Sequence, residues 1–317
     1  MTICINPNCT ASHQPVESAG RECPNCGIDL MLKNRYRVTS IIRVDRGFGN
    51  IYEVEYRGKT KILKVFNQIH AKKRRAIQLF RQEVNVLSHF AHPGIPKCDS
   101  YFQYELNEGE RWECIVREKI DGCNLEEWVD KNKPISEEHG LEWLEKVTII
   151  LKVVHDQKYL HRDIKPHNIM RKDNGQCVLI DFGAAIRRNL FYKTYAITIY
   201  SAMLLLGKGD ETDGYTAPEQ NRHYCTPQTD IFALGKSFVF LLTGKFPRDQ
   251  AMYNEKTKKI NWRKYAKGVS HEFPNIIEKA IEHDPKKRYN NTQEILDDIG
   301  RLKKNRLIDS TSRQMSF

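Results

Sequence analysis

The sequence predicts an α+β fold in two lobes, a small antiparallel β lobe carrying one helix and then a large, mainly helical lobe, with a short four-cysteine segment in front. Three observations predict it. Apolar residues alternate in Ile51-Tyr52-Glu53-Val54-Glu55-Tyr56 and recur in Lys61-Ile62-Leu63-Lys64-Val65-Phe66, either side of Arg57-Gly58-Lys59, which is the pattern of a β-hairpin. Further on, Leu141, Leu144, Val147, Leu151 and Val154 fall on one helical face, and Ile231 to Gly244 is apolar nearly all round, as a helix buried inside a large lobe must be. Finally, Cys4, Cys9, Cys23 and Cys26 crowd near the start, while Cys98, Cys114, Cys123, Cys177 and Cys225 are scattered and read as filler. A chain of 317 residues, 40% of them hydrophobic, is long enough for a two-lobed enzyme with a small appendage. The expected boundaries are 1–32 for the cysteine segment, 33–120 and 121–304 for the two lobes, and 305–317 for a mobile Ser/Thr-containing tail.

Taken in order, the cysteine segment offers two pairs, Cys4 with Cys9 and Cys23 with Cys26, the second inside Cys-Pro-Asn-Cys-Gly. The tight turn with a small residue after the second thiol lets backbone amides face the sulfurs, so four thiolates can close one tetrahedral Zn2+ site in a zinc-ribbon-like segment. His13 is the nearest competing ligand. The alternatives are a redox pair, a lipid-modified cysteine or plain surface thiols. About 30 residues cannot build a stable apolar core alone, so on the zinc reading metal is what folds the segment.

The first residues lack a signal-peptide pattern, and the longest uncharged apolar run, Tyr195 to Leu206, is well short of the roughly 20 residues that span a bilayer. A cytoplasmic protein with no membrane span is the expectation, and with it free thiols rather than a disulfide framework. The formal net charge is +11. The basic residues are dispersed and lack interleaved aromatics, so a solvated basic surface is preferred over nucleic-acid binding. A partner protein held through the cysteine segment stays open.

After the hairpin, Ile77, Phe80, Val84 and Leu87 mark a helix whose Glu83 sits on or beside the buried face. A carboxylate there needs a cation, and Lys64 on the preceding strand is the candidate. The family resemblance set out below places a hinge between the lobes at Arg117 to Gly122. A long helix follows, with Ser136 as N-cap and Glu137 and Glu138 in its first turn. It delivers the chain to His161-Arg162-Asp163-Ile164-Lys165-Pro166-His167-Asn168, and Asp181-Phe182-Gly183 comes after a hairpin pattern with a turn at Asp173-Asn174-Gly175. A hairpin brings its ends together. Asn168 and Asp181 then direct two oxygen ligands at one hard cation, and Asp163 is left to receive a proton from a hydroxyl.

These motifs resemble the catalytic loop and metal-binding motif of the eukaryotic-like serine/threonine protein kinases. Some bacterial members carry a similar four-cysteine stretch before the catalytic domain. The resemblance implies a bilobal protein-kinase fold and transfer of the γ-phosphoryl group of ATP to Ser/Thr hydroxyls of protein substrates, with Mg2+ as cofactor. It implies Asp163 as proton acceptor, Lys165 as neutraliser of the transferred group, and Asn168 and Asp181 as Mg2+ ligands. Lys64 would hold the nucleotide phosphates and Glu83 orient it; Gly47 and Gly49 belong to the loop over the phosphates, and backbone groups of Glu118 and Ile120 to the adenine contact. Thr212 and the pair of Glu219 with Arg288 match structural positions, His161 a packing one, and Ala217-Pro218-Glu219 with Asp230 are landmarks that favour a protein over a small-molecule substrate.

The chain also departs from the family pattern. Val44 and Arg46 stand where the first two loop glycines are expected, Ile62 replaces the small adenine-packing alanine, and Arg117 takes the gatekeeper place. Arg46 either compensates by meeting a phosphate or blocks the pocket. The stretch from Asp181 to Glu219 is longer than usual and contains the apolar run, read either as a regulatory cover of the substrate groove or as plain packing. Arg162, Arg187, Arg188 and Lys193 form a candidate cluster for a phosphorylated Thr194, Thr198 or Ser201. Two rival functions follow: a pseudokinase scaffold with impaired ATP binding, and a metal-ribbon nucleic-acid or protein binder with a kinase-like body.

Overall fold

The computed structural model describes residues 2–16, 21–44, 49–66, 74–105, 111–188, 214–220 and 224–314. Among them the chain divides into two compact units, one formed by residues up to 91 with 96–120, the other by 92–95 with 121 onward.

The first unit begins with short strands β1 (Thr2–Ile3), β2 (Pro15–Val16) and β3 (Met31–Leu32), followed by β4 (Tyr36–Arg43), β5 (Asn50–Tyr56), β6 (Lys59–Val65), helix α1 (Arg74–His89), β7 (Cys98–Glu105) and β8 (Arg111–Glu118). β3 to β8 make one antiparallel sheet of order β3-β4-β5-β6-β8-β7. The predicted hairpin is β5–β6, with Tyr56 opposite Lys59 and Ile51 opposite Lys64. Its two turn residues, Arg57 and Gly58, both have positive φ, 51° and 71°, the twist that suits a two-residue hairpin.

The cysteine segment does not stand apart from this sheet. Cys4, Cys9 and Cys23 are buried in the same core as Ile28, Leu30, Leu32, Tyr36, Val38, Tyr52, Val54 and Trp112. A piece too short to enclose its own apolar residues has packed them on the sheet's face, each fully buried Ile or Leu gaining about 1.5–3 kcal/mol relative to exposure. Thus the expectation that metal alone folds the segment is amended: the sheet supplies part of what holds it.

The second unit runs through β9 (Cys123–Asn124), α2 (Leu125–Asn132), α3 (Glu137–Asp156), β10 (Tyr159–Leu160), β11 (Ile169–Arg171), β12 (Cys177–Leu179), β13 (Ile186–Arg187), α4 (Pro227–Thr243), β14 (Tyr253–Asn254), β15 (Lys259–Ile260), α5 (Glu272–Ala280) and α6 (Thr292–Gln314). Ser136 caps α3, its side chain accepting from the amide of His139 at 3.3 Å, with Glu137 and Glu138 in the first turn. Every residue of α4 from Thr229 to Thr243 is buried, which explains why it is apolar on all sides. At Gly235 a Cβ would come within 2.6 Å of Ile281 and 2.9 Å of Ala280, so glycine is what lets α4 meet the end of α5.

The last helix runs past the expected boundary. The segment from residue 305, expected as a mobile tail, continues α6 as far as Gln314. The reason is docking onto α3: Lys303 pairs with Glu145 at 2.5 Å, and Arg306 pairs with Glu137. No described helix is long and apolar enough to cross a membrane.

Candidate active site and metal centre

In the first unit Lys64 of β6 and Glu83 of α1 meet at 2.5 Å, and both are buried. Phe66, Phe80 and Ile115 pack together as a second cluster of the unit, with partly buried Ile77 and Val84 of α1 against it. Breaking such a buried pair by removing one member is strongly destabilising, because the other is left out of water without its counter-charge. Of the phosphate-loop residues, Gly49 is described: its φ is +120° and a Cβ would lie 2.1 Å from the carbonyl oxygen of Val65, so no other residue fits where β5 begins beside β6. Arg46 and Gly47 lie outside the described residues. Val44 is exposed, Ile62 is buried, and so is Arg117. The amide of Glu118 donates to the carbonyl of Lys97 at 2.9 Å, so an adenine contact from this residue must use its carbonyl, while Ile120 is buried at the end of the unit.

In the second unit the catalytic-loop residues are fixed from below by Asp230 of α4. Its carboxylate accepts from the amides of His161 (2.9 Å) and Arg162 (2.7 Å) and from Nε2 of His155 (2.9 Å). Burial pushes this carboxyl up, but the hydrogen bond and charge of His155 outweigh it and hold Asp230 below the usual range. His161 is fully buried, its Nε2 within 3.1 Å of the carbonyl of Ile180 and its ring edge-on to Phe182. Burial lowers its pKa, and both ring nitrogens are engaged, Nε2 by Ile180 and Nδ1 by the Asp163 amide at 3.3 Å, so the ring serves packing.

Asp163 is held from the side by Asn168, whose Nδ2 donates to the Asp163 carbonyl (2.8 Å) and to Oδ2 (2.9 Å). That uses the amide nitrogen and turns the oxygen of Asn168 to other work. Lys165 lies with Nζ 3.7 Å from Oδ1 of Asp163. The hairpin β11–β12 pairs Ile169 with Leu179 and Arg171 with Cys177, and the amide of Ile180 donates to the carbonyl of Asn168 at 2.9 Å. Asp181 therefore begins one residue beyond a direct bond to Asn168. Its backbone is left-handed, φ 59°, with Oδ1 accepting from the amide of Gly183 at 3.4 Å. The backbone bond from Ile180 thus brings Asp181 to a position neighbouring Asn168.

Glu219 and Arg288 form a bidentate pair at 2.6 and 3.1 Å, with Arg288 also donating to the carbonyls of Glu282, Gln228 and His283. Thr212, Lys193 to Ser201 and the apolar run to Leu206 lie outside the described residues. The burial of Arg162, a member of the candidate phosphate-receiving cluster, and its contact with Gln220 carried no sequence signal. Arg162 has φ 67°, and its guanidinium nitrogens are buried with no carboxylate or carbonyl bonded to them among the described residues, the sulfur of Cys225 being alongside. Gln220, next to Glu219, donates from its side chain to the Arg162 carbonyl at 3.0 Å.

The sulfurs of Cys4, Cys9, Cys23 and Cys26 all lie within 4.8 Å of one another, a group that could hold a metal ion. Cys4 and Cys26 are 3.7 Å apart and Cys9 and Cys23 3.8 Å. Four thiolates at about 2.3 Å around one tetrahedral ion sit about 3.8 Å apart, so the donor set fits. Burial pushes the thiols of Cys4 and Cys9 up, so ionised sulfurs here call for a cation. The amide of Ala11 points at the sulfur of Cys9 at 3.3 Å. His13 is turned elsewhere: Nε2 is 2.9 Å from the hydroxyl of Tyr52 on β5, and Nδ1 is 2.9 Å from Ser12.

This fold and site define a protein kinase. The family model described as protein kinase domain matches residues 46–298, and the chain belongs to that family. More particularly, it groups with the eukaryotic-like serine/threonine kinases of bacteria. It is 32% identical over 316 residues to Serine/threonine-protein kinase B of Synechocystis sp., an alignment covering 94% of this chain and 51% of that protein. Against Serine/threonine-protein kinase F of the same organism it is 31% identical over 294 residues, covering 87% and 57%. To Serine/threonine-protein kinase PrkC of Bacillus subtilis it is 28% identical over 281 residues, covering 86% and 41%. The chain spans about half the length of the curated relatives it matches.

Proposed function

We propose that this chain is an ATP-dependent serine/threonine protein kinase that phosphorylates protein hydroxyls, its own among them. The observation that carries the reading is the clamp on Asp163: a buried carboxylate aligned by the Asn168 amide, with the Lys165 ammonium 3.7 Å away. Asp163 would take or orient the substrate hydroxyl's proton, and Lys165 would neutralise charge growing on the transferred group. The Asn168 oxygen and Asp181 would hold Mg2+, which when bound draws charge from the phosphate oxygens. Lys64, oriented by Glu83, would meet the phosphates, and the Glu118 carbonyl and Ile120 backbone the adenine. The test is phosphate transfer by wild type and Asp163→Asn: activity falling about 10²- to 10⁴-fold supports the reading, and equal transfer contradicts it.

A pseudokinase reading is favoured by Val44 and Arg46 at glycine places; the intact Lys64–Glu83 pair and the obligatory glycine at 49 favour activity. The buried guanidinium of Arg162, bonded to no carboxylate or carbonyl among the described residues, supports a regulatory role in which it receives a phosphoryl group placed on the segment containing Thr194, Thr198 and Ser201. Phosphatase treatment should then lower activity, and equal activity before and after treatment would count against it. For the cysteine cluster the reading is one structural Zn2+, supported by sulfur spacings of 3.7 and 3.8 Å. A cytoplasmic setting is proposed with it, since ionised thiols persist where disulfides do not.

A further inference from the structure

The second unit contains a cavity of about 230 Å3 that none of the catalytic-loop residues lines. Lys236 of α4 lines it together with Phe232, Arg248, Tyr253, Lys258 and His283. This lysine is 5% exposed and rises from a helix whose every residue from Thr229 to Thr243 is buried. Its Nζ lies 5.1 Å from the centre of the Phe232 ring and 5.4 Å from that of Tyr253. Among the described residues no carboxylate, carbonyl or hydroxyl is bonded to it.

An ammonium in such a place has lost its water and gained no acceptor, and the two ring faces return only part of that loss. Burial, and after it the charge of Arg288, pushes the pKa of Lys236 down to about 7. Arg248, Tyr253 and Lys258 face the amine from the segment after α4, His283 from the loop after α5, and Arg288 from beyond it, itself bonded to Glu219. At about pH 7.5 most molecules therefore carry a neutral amine here, whereas an exposed lysine, near about 10.4, is neutral in about one molecule in a thousand. A desolvated neutral amine that opens on a cavity is a nucleophile.

We propose that Lys236 is a carbamylation site, its ε-amine adding to CO2 within the cavity. The nitrogen lone pair forms the N–C bond, the electron pair of one C=O bond moves onto its oxygen, and one N–H proton leaves to solvent, so that amine and CO2 give a carbamate and a proton with nothing oxidised or reduced. The volume equals that of about seven waters at about 30 Å3 each, ample for a reactant of three heavy atoms. The product replaces a cation that no acceptor meets by an anion beside the Arg248 and Lys258 side chains. Glu255 already meets Lys258 at 2.8 Å and Arg248 at 3.8 Å, and neither cation needs to be free, since ammonium and guanidinium each carry several donors. Arg288 favours an anion at Lys236 for the same reason that it disfavours an ammonium. The site is separate from the catalytic loop and does not depend on phosphoryl transfer.

The experiment is chemical trapping on the full chain. Wild type is equilibrated with isotope-labelled bicarbonate and CO2 at about pH 7.5, treated with a trialkyloxonium reagent that fixes carbamates as stable esters, and mapped by peptide mass spectrometry. Label on Lys236 should exceed that on exposed lysines such as Lys256 and Lys267 at least about tenfold. In urea the excess should vanish, because the unfolded chain returns Lys236 to an ordinary lysine pKa. Lys236→Met removes a desolvated charge at nearly constant volume, so its melting temperature should equal or exceed that of wild type, and the intact variant should carry one trapped group fewer. Label at the α-amino group, whose ordinary pKa is about 8, should be the same in both proteins. No label on Lys236, label no greater than on the exposed lysines, an excess retained in urea, or equal numbers of trapped groups in wild type and Lys236→Met overturns the proposal.

Discussion

Lys64 meets Glu83 from nineteen positions away and Arg288 meets Glu219 from sixty-nine, whereas Asp163 is held by Asn168 five residues on, and the consequences of losing such contacts differ. Arg288 makes five hydrogen bonds in a fully buried position, so Arg288→Ala should cost about 3–5 kcal/mol, seen as a lower denaturation midpoint with unchanged slope. Lys236 acts in the opposite sense. Its folded pKa of about 7 lies below the roughly 10.4 of an unfolded lysine, so between these values the unfolded chain binds the proton that the folded chain lacks. Stability from this group therefore rises with pH from about 7 to about 10, and the whole penalty is present below about 7. Subtracting the curve of Lys236→Met from that of wild type should isolate that slope; a flat difference would contradict it. The Lys64–Glu83 contact was legible because strand and helix periodicities placed a carboxylate on an inner face. The triple acceptance by Asp230 and the Gln220 contact to Arg162 were not, since bonds between residues 58 to 75 positions apart leave no local pattern.

Among elements, β5 and β6 were legible because alternation and an Arg-Gly turn agree with each other. The same alternation said nothing about the cysteine segment, whose burial against the sheet depends on single residues such as Tyr52. The hydroxyl of Tyr52 is shared between His13 and Asn50 at 2.9 and 3.0 Å, so one side chain ties the segment to the start of β5. If one zinc ion completes the segment, chelation should release about one equivalent and lower the melting temperature by roughly 5 °C or more. Unchanged melting after complete metal removal would mean that the sheet contacts suffice. The end of α6 misled for a different reason. Its sequence is polar and Ser/Thr-rich, and what fixes it is a pair of cations, Lys303 and Arg306, meeting carboxylates of α3. Partly exposed pairs of this kind contribute about 0–1 kcal/mol each, so Arg306→Ala should fray the helix end in hydrogen exchange while barely moving the melting temperature.

At the scale of the molecule, the chemistry is divided. One unit holds the Lys64–Glu83 pair and β5, the strand that begins after Gly49; the other holds Asp163, Asn168, Asp181 and the Asp230 anchor. Division of this kind was legible in the sequence mainly through the resemblance, which supplied the hinge and the roles of the loop motifs. Lost glycines before Gly49 affect one unit alone, so they should act on nucleotide affinity and leave the Asp163 clamp intact; Arg46→Gly should change KM for ATP more than kcat. The most direct measurement is transfer of labelled γ-phosphate from ATP to the chain itself and to a Ser/Thr protein substrate, on wild type and Asp163→Asn prepared identically. Label on serine or threonine with wild type, reduced at least about 10²-fold in the variant, is the predicted result. No transfer by wild type with Mg2+ and saturating ATP, or equal labelling by both proteins, would contradict the assignment.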